Sequence, residues 1–155
     1  MTTGAVSPRR ADTRRNHERI LATAAEALTQ SGEISFNAIA KQAGVGVGTV
    51  YRHFPTPEAL ILAVYQREVR HLVDVVPSLL HQHAPDQAFR TWTTDHLARY
   101  MMTKRGLANA LRAATPSSAA GELPANAHLT LIDAVATLLK ANIEAGTVRP
   151  DLDPE

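Results

Sequence analysis

Three glycines at alternate positions, Gly44, Gly46 and Gly48, fall in the stretch AGVGVGTVYRHF between Ala43 and Phe54. The stretch before it, FNAIAKQA, has Ile39 and Ala40 placed for one helical face, with Ser35 as its N-cap. The stretch after it, PTPEAL, opens another helix. Thr56 suits the N-cap, Pro57 the first helical position, and Glu58 the positive end of the dipole. A lone strand between these helices would have no partner. A dinucleotide-binding G-x-G-x-x-G starting at Gly44 needs glycine where Thr49 stands, and the Gly-Lys-Ser/Thr end of a P-loop is missing. Glycine inside a helix costs about 1 kcal/mol relative to alanine, so these glycines belong where that cost is small. A helix–turn–helix supplies such places. Gly44 closes the first helix at positive φ, Val45 packs inward, and Gly46 caps the second helix. Gly48 then lies in its first turn, bare of side chain.

The other long segments also read as helix. RRNHERILATAAEALTQSGE repeats apolar residues at Ile20, Leu21, Ala24, Ala25 and Leu28, and Gly32 is a plausible stop. The helix from Pro57 runs at least to about Val75. Pro77 then ends it, kinks it or opens a further turn. Pro85 starts DQAFRTWTTDHLARYMMTK, a helix from about Asp86 to Lys104, and Gly106 separates it from a short LANALRAA helix. TPSSAAGELP reads as a loop, and a last helix runs from about Asn126 to Ala145, stopped by Gly146. No repeat or hairpin stands out, so the fold class is all-α.

The chain of 155 residues is 45% hydrophobic and holds no cysteine, which excludes disulfides, thiolate metal sites and cysteine nucleophiles. It has no run of 18 apolar residues, and its first twenty residues lack the apolar core of a leader. A soluble, cytoplasmic protein with no membrane partner is expected. The net charge of +1 hides an asymmetry. Residues 1–54 hold seven Arg/Lys against four Asp/Glu, and residues 55–155 hold nine against eleven. Arg9, Arg10, Arg14, Arg15 and Arg19 concentrate the excess. That is either a nucleic-acid footprint or a solvated tail.

SFNAIAKQAGVGVGTVYRHF followed by PTPEALILAVY resembles the DNA-binding domain of TetR-family bacterial transcriptional regulators. The features that carry the likeness are Ile39-Ala40, the Ala43-Gly44-Val45 turn, Thr49, Tyr51, and His53-Phe54 before a capped helix. The match runs from about Arg15 to Val64. The remainder is similar to the family's helical ligand-binding domain in general character, including GELP and EAGTVRPDLDPE. The resemblance implies an N-terminal three-helix DNA-binding domain joined by a linking helix to a helical ligand-binding domain. The expected division is a disordered basic arm over 1–12, the helix–turn–helix domain over 13–58, and the effector-binding domain over 59–155. It also implies a double-stranded DNA operator, a small-molecule effector, a homodimer and, as the sign of regulation, repression. The family's two C-terminal dimerisation helices are expected to be missing, the sequence being either truncated or without the usual dimer interface.

Within the matched stretch, Val50 and Phe54 can anchor the second helix, leaving Val47, Gly48, Thr49, Tyr51, Arg52 and His53 partly outward. Tyr51 and His53 suit phosphate oxygens, unless the first is core and the second merely surface. Val47 and Thr49 methyls and bare Gly48 suit thymine methyls, and Asn37 can read adenine. Ser35 caps a helix N-terminus that can hold phosphate. Lys41 touches the backbone or is simply solvated. Thr56, Arg14 and Arg15 complete the expected DNA-contacting set. Three departures from the family stand out: Asn37 where arginine is frequent, Gly46 where serine or threonine caps, and Pro57 where a basic residue is frequent. An alternative is a TetR-like helical interaction module that has lost operator binding.

In the second domain Phe89, Trp92, His96 and Tyr100 fall on one helical face, with Met101 and Met102 beside it. They are either ordinary core or the wall of an effector pocket. His71, His81 and His83 lack a converging set, so no metal site and no cofactor are expected. Ser117-Ser118 has no evident base, G-x-S-x-G is absent, and Asp95 and His96 point apart, so no enzyme is expected.

Overall fold

The computed structural model describes residues 8–114 and 127–151. Within them lie seven α-helices: α1 (Pro8–Gln30), α2 (Phe36–Ala43), α3 (Val47–His53), α4 (Pro57–Gln82), α5 (Pro85–Thr91), α6 (Ala98–Ala114) and α7 (Ala127–Glu144). A π-helical turn over Trp92–Leu97 joins α5 to α6. There is no strand among the described residues, and no helix there is long and apolar enough to cross a membrane. The expected TPSSAAGELP loop, the Ser117-Ser118 pair and the DPE end lie outside the described residues.

The chain divides into two compact units, one of residues 1–64 and 106–121, the other of 65–105 and 122–155. The sequence-based division at 58/59 differs from this. The observed boundaries fall inside α4 and inside α6.

In the first unit, α1 begins at Pro8, within the stretch expected as an unstructured arm, because proline suits a first helical position. Ile20, Leu21, Ala24, Ala25 and Leu28 form its buried stripe. α2 buries Phe36, Ile39, Ala40 and Ala43. Gly44 sits at φ 68°, where its N–H meets the Lys41 carbonyl, and the N–H of Val45 reaches Ala40 O at 3.0 Å. This left-handed cap is the turn that the glycine pattern demanded. The expected break at Gly106 does not occur. The helix runs through it, and Leu107, Ala110 and Leu111 are buried at three- and four-residue steps.

In the second unit, α4 continues through Pro77, which is exposed. Asn142 on α7 is 2% exposed, and its polar atoms are matched. Its amide donates to Pro85 O at 2.9 Å and Leu138 O at 2.8 Å, while the Thr147 hydroxyl donates to Oδ1 at 2.7 Å. A buried side-chain amide with its donors and acceptor engaged fixes the ends of α5 and α7 in register.

Candidate nucleic-acid interface

The site is built on α2, the Gly44 turn and α3. Ser35 caps α2, its hydroxyl accepting the Ala38 N–H at 3.4 Å. That leaves the N–H groups of the first turn directed outward, a favourable place for an anion. Asn37 and Lys41 are both exposed on α2.

α3 is short and held by two apolar side chains four apart. Val50 is 0% exposed and Phe54 3% exposed. Gly46 caps it with extended backbone and no side-chain bond. The outward face therefore carries Val47, Gly48 and Tyr51, with Thr49 half-buried. Tyr51 is 53% exposed, and its ring lies tilted on Phe36 with centroids 4.7 Å apart. The core alternative for Tyr51 is thereby set aside: the ring is held from one side only. Gly48 has open space where a Cβ would stand. Thr49 Oγ1 accepts from the Arg52 guanidinium at 3.1 Å. Thr56 caps α4, its hydroxyl accepting the Ala59 N–H at 3.2 Å.

The N-terminal turns of α1 run beside the end of α3. One open groove is lined by Arg9, Arg10, Thr13, Arg14, His17 and His53, and an adjoining one by Arg9, Thr13, Asn16, Thr49, Arg52 and His53. Arg10, Thr13, Arg14 and His17 recur at helical spacing. That stripe was readable in the sequence, but an arm ending at residue 12 hid it. Arg15 lies elsewhere on α1, ion-paired with Asp12 one turn before it. Thus Arg14 joins the α3 flank, with Arg9, Arg10 and Arg52 added, while Arg15 does not.

His53 is half-buried, with the His17 ring edge-on at 5.4 Å between centroids, and His17 in turn lies 4.9 Å from Phe54. Partial burial, then His17, then Arg52 hold the His53 pKa below its ordinary value of 6.5. Two opposite pH effects follow. In the free chain, the unfolded state takes up the proton more readily, so this group removes stability as pH falls through 6.5. A phosphate brought against His53 favours its charged form instead, so duplex binding takes up a proton and tightens as pH falls over the same range. Titrations of duplex into protein from pH 7.5 to 5.5 should show this gain, and His53→Gln should flatten it. A slope identical in both proteins removes His53 from the interface.

The expected effector face divides. Trp92 is 1% exposed and its indole N–H donates to Leu72 O at 2.8 Å. Tyr100 is 2% exposed, and its hydroxyl makes no hydrogen bond within 3.5 Å, while the Tyr65 side chain lies close enough for a longer contact. Burial first, and then Tyr65 at close range, push the Tyr100 pKa well up. Phe89 and His96 are half-buried, and Met101 is exposed. The single continuous helix expected over 86–104 is interrupted by the π turn at Trp92–Leu97, whose closing bond runs from the Ala98 N–H to Thr93 O. A wider turn shifts register, so four-residue spacing does not keep these side chains in one row.

Residues 20–64 match the family model of bacterial regulatory proteins of the tetR family, and residues 84–155 match that of the SbtR-like transcriptional regulator C-terminal domain. Among solved structures, the TetR transcriptional regulator SCO0520 from Streptomyces coelicolor is 37% identical, with a TM-score of 0.78 over 89% of this chain and 78% of that one. The TetR transcription regulatory protein from Mycobacterium vanbaalenii is 36% identical, with a TM-score of 0.82 over 95% and 87%. The HTH-type transcriptional regulator SAB2452 from Staphylococcus aureus (strain bovine RF122 / ET3-1) is 28% identical over 67% of this chain. The matched stretch covers 57% of that relative, so the chain spans little more than half of its length. The helix–turn–helix read from the glycines thus coincides with the first of two family matches. The chain belongs to the TetR family of DNA-binding bacterial transcriptional regulators.

Proposed function

We propose that the chain is a repressor that seats α3 in the major groove and leaves its operator when a small molecule binds the second unit. The observation that carries the DNA half is the α3 surface. A side-chain-poor patch at Val47, Gly48 and Thr49 is flanked on the α1 side by Arg9, Arg10 and Arg14. The bare patch lets a helix approach base edges, and the arginines neutralise the phosphates alongside. Tyr51, His53, Asn37, Ser35, Lys41 and Thr56 make the remaining contacts, and Arg15 contributes less because Asp12 already pairs with it. A second copy supplies the second half-site, about 34–36 Å along the duplex.

The effector half rests on Tyr100. Its buried hydroxyl meets Tyr65 loosely rather than in a close hydrogen bond, and a polar ligand would supply a stronger partner. Trp92, Phe89 and His96 lie within the neighbouring turns. The ligand acts through its preference between two states of the chain.

The test is salt-dependent binding to a duplex selected from a random-sequence pool. Each lost phosphate contact flattens the log–log salt slope by about 0.9. Arg10→Ala and Arg14→Ala should each show that change, and Arg15→Ala a smaller one. Equal, full slopes in all three variants overturn the docking mode. Failure of the wild-type chain to select any duplex favours the interaction-module reading, to which Pro57 in place of a basic residue also points.

A further inference from the structure

His71 on α4 and His96 in the π turn face one another. Nε2 of His71 lies 3.3 Å from Nδ1 of His96, the ring centroids are 5.3 Å apart, and the planes are inclined by 48°. We propose that His71 and His96 form a two-histidine site for a borderline divalent transition-metal ion, Zn(II), Ni(II) or Cu(II), within the second unit.

The distances carry the argument. Two imidazole nitrogens bound to one tetrahedral ion at about 2.0–2.1 Å lie about 3.3–3.4 Å from each other. The same geometry puts the ring centroids about 5.2 Å apart. The pair already holds both separations, so turning each ring until its lone pair lies about 35° off the line between the nitrogens aims both at one point. Without an ion, one facing nitrogen must carry a proton to donate to the other. When both rings are neutral, the ion needs only a tautomer change. The donor ring takes its proton, through solvent, to its other nitrogen, and no net charge is transferred.

The backbone agrees with this. π turns are rare, and they recur at functional sites because the widened turn re-aims a side chain. No third His, Cys, Asp or Glu joins the pair among the described residues, so water fills the other positions. His17 and His53 have rings at a similar 5.4 Å, but no nitrogen–nitrogen approach accompanies them, and they serve as the internal control.

The full chain, purified without a histidine tag and stripped with chelator, is titrated with Zn(II), Ni(II), Cu(II) and, separately, Mg(II). The expected result is one equivalent bound per chain, with Cu(II) tightest, as softness and the divalent stability order require, and no response to Mg(II). Trp92 is the sole tryptophan and precedes His96 by four residues, so Cu(II) should quench its emission at one equivalent. His71→Gln and His96→Asn each keep a polar atom near the facing position, which preserves the contact while removing the ligand. Loss of a mere supporting partner costs metal affinity about 10–100-fold, so each variant should weaken binding by at least tenfold. His17→Ala and the His81→Ala/His83→Ala pair should bind as wild type. Circular dichroism identical to wild type confirms that the variants fold. Absence of binding, undiminished binding in either ligand variant, or loss in the control variants overturns the site.

Discussion

Gly48→Glu is expected to abolish duplex binding while leaving the chain at least as stable as before. Gly48 is exposed in the first turn of α3, its φ is not positive, and a Cβ there meets nothing within 4 Å. The fold therefore accepts the side chain. Glutamate is a better helix former than glycine by about 0.5 kcal/mol, and an acidic group in a first turn suits the dipole. Binding reverses the sign. The same carboxylate stands on the surface offered to a polyanion, where like charges cost several kcal/mol. At about 1.4 kcal/mol per factor of ten, affinity should fall at least 100-fold. Thermal unfolding and duplex titration on one preparation separate the two effects. Affinity within threefold of wild type would show that α3 presents another face to DNA or none.

The parts of this molecule that were legible from sequence are those whose causes are local. Ser35, Gly44, Gly46, Thr56 and Pro57 each act within one turn of chain, and the structure has α2, the turn, α3 and the start of α4 where those residues put them. The Val50–Phe54 anchor was equally local, a four-residue pair on a seven-residue helix. What escaped has causes far along the chain. The course of α4 past Pro77, which the sequence left open as an end, a kink or a further turn, is a continued helix with Leu72, Val76 and Leu79 on its buried side. The π turn at Trp92 has no signature in WTTDHL. It goes with an indole N–H donating to the carbonyl of Leu72, twenty residues earlier. Four-residue spacing therefore put Phe89, Trp92, His96 and Tyr100 in one stripe that the actual turn does not preserve. On α1 the difference is one of boundary. An arm drawn to residue 12 concealed the stripe through Arg10, Thr13, Arg14 and His17 that lines the groove beside α3, and of the expected Arg14 and Arg15 the first lies on that groove while the second pairs with Asp12.

Gly106→Ala should destabilise the first unit, with the opposite sign to the same substitution at Gly48. Sequence alone made Gly106 a helix break, yet it is a buried position within α6, and its need for glycine is steric. A Cβ there would collide with the backbone carbonyl oxygen of Leu28, with the carbonyl carbon at 3.0 Å and the Leu28 Cβ at 3.5 Å. A flexible side chain could swing away from such a contact, but a carbonyl cannot. This one also accepts the Gly32 N–H at 3.1 Å as part of the cap that ends α1. Relief requires α6 to move off α1 or the cap to open. Overpacking of this kind costs about 1–3 kcal/mol, and backbone against backbone belongs at the upper end. It outweighs the gain of about 1 kcal/mol that alanine brings to a helix interior. A net loss near 2 kcal/mol lowers the unfolding midpoint by about 4–8 °C in a chain of this size. At Gly48, where the space is open, only the propensity gain remains, and the midpoint should rise by about 2–4 °C. Paired thermal scans of the two alanine variants decide the matter. A rise at both positions would mean that α6 does not approach α1 through Gly106.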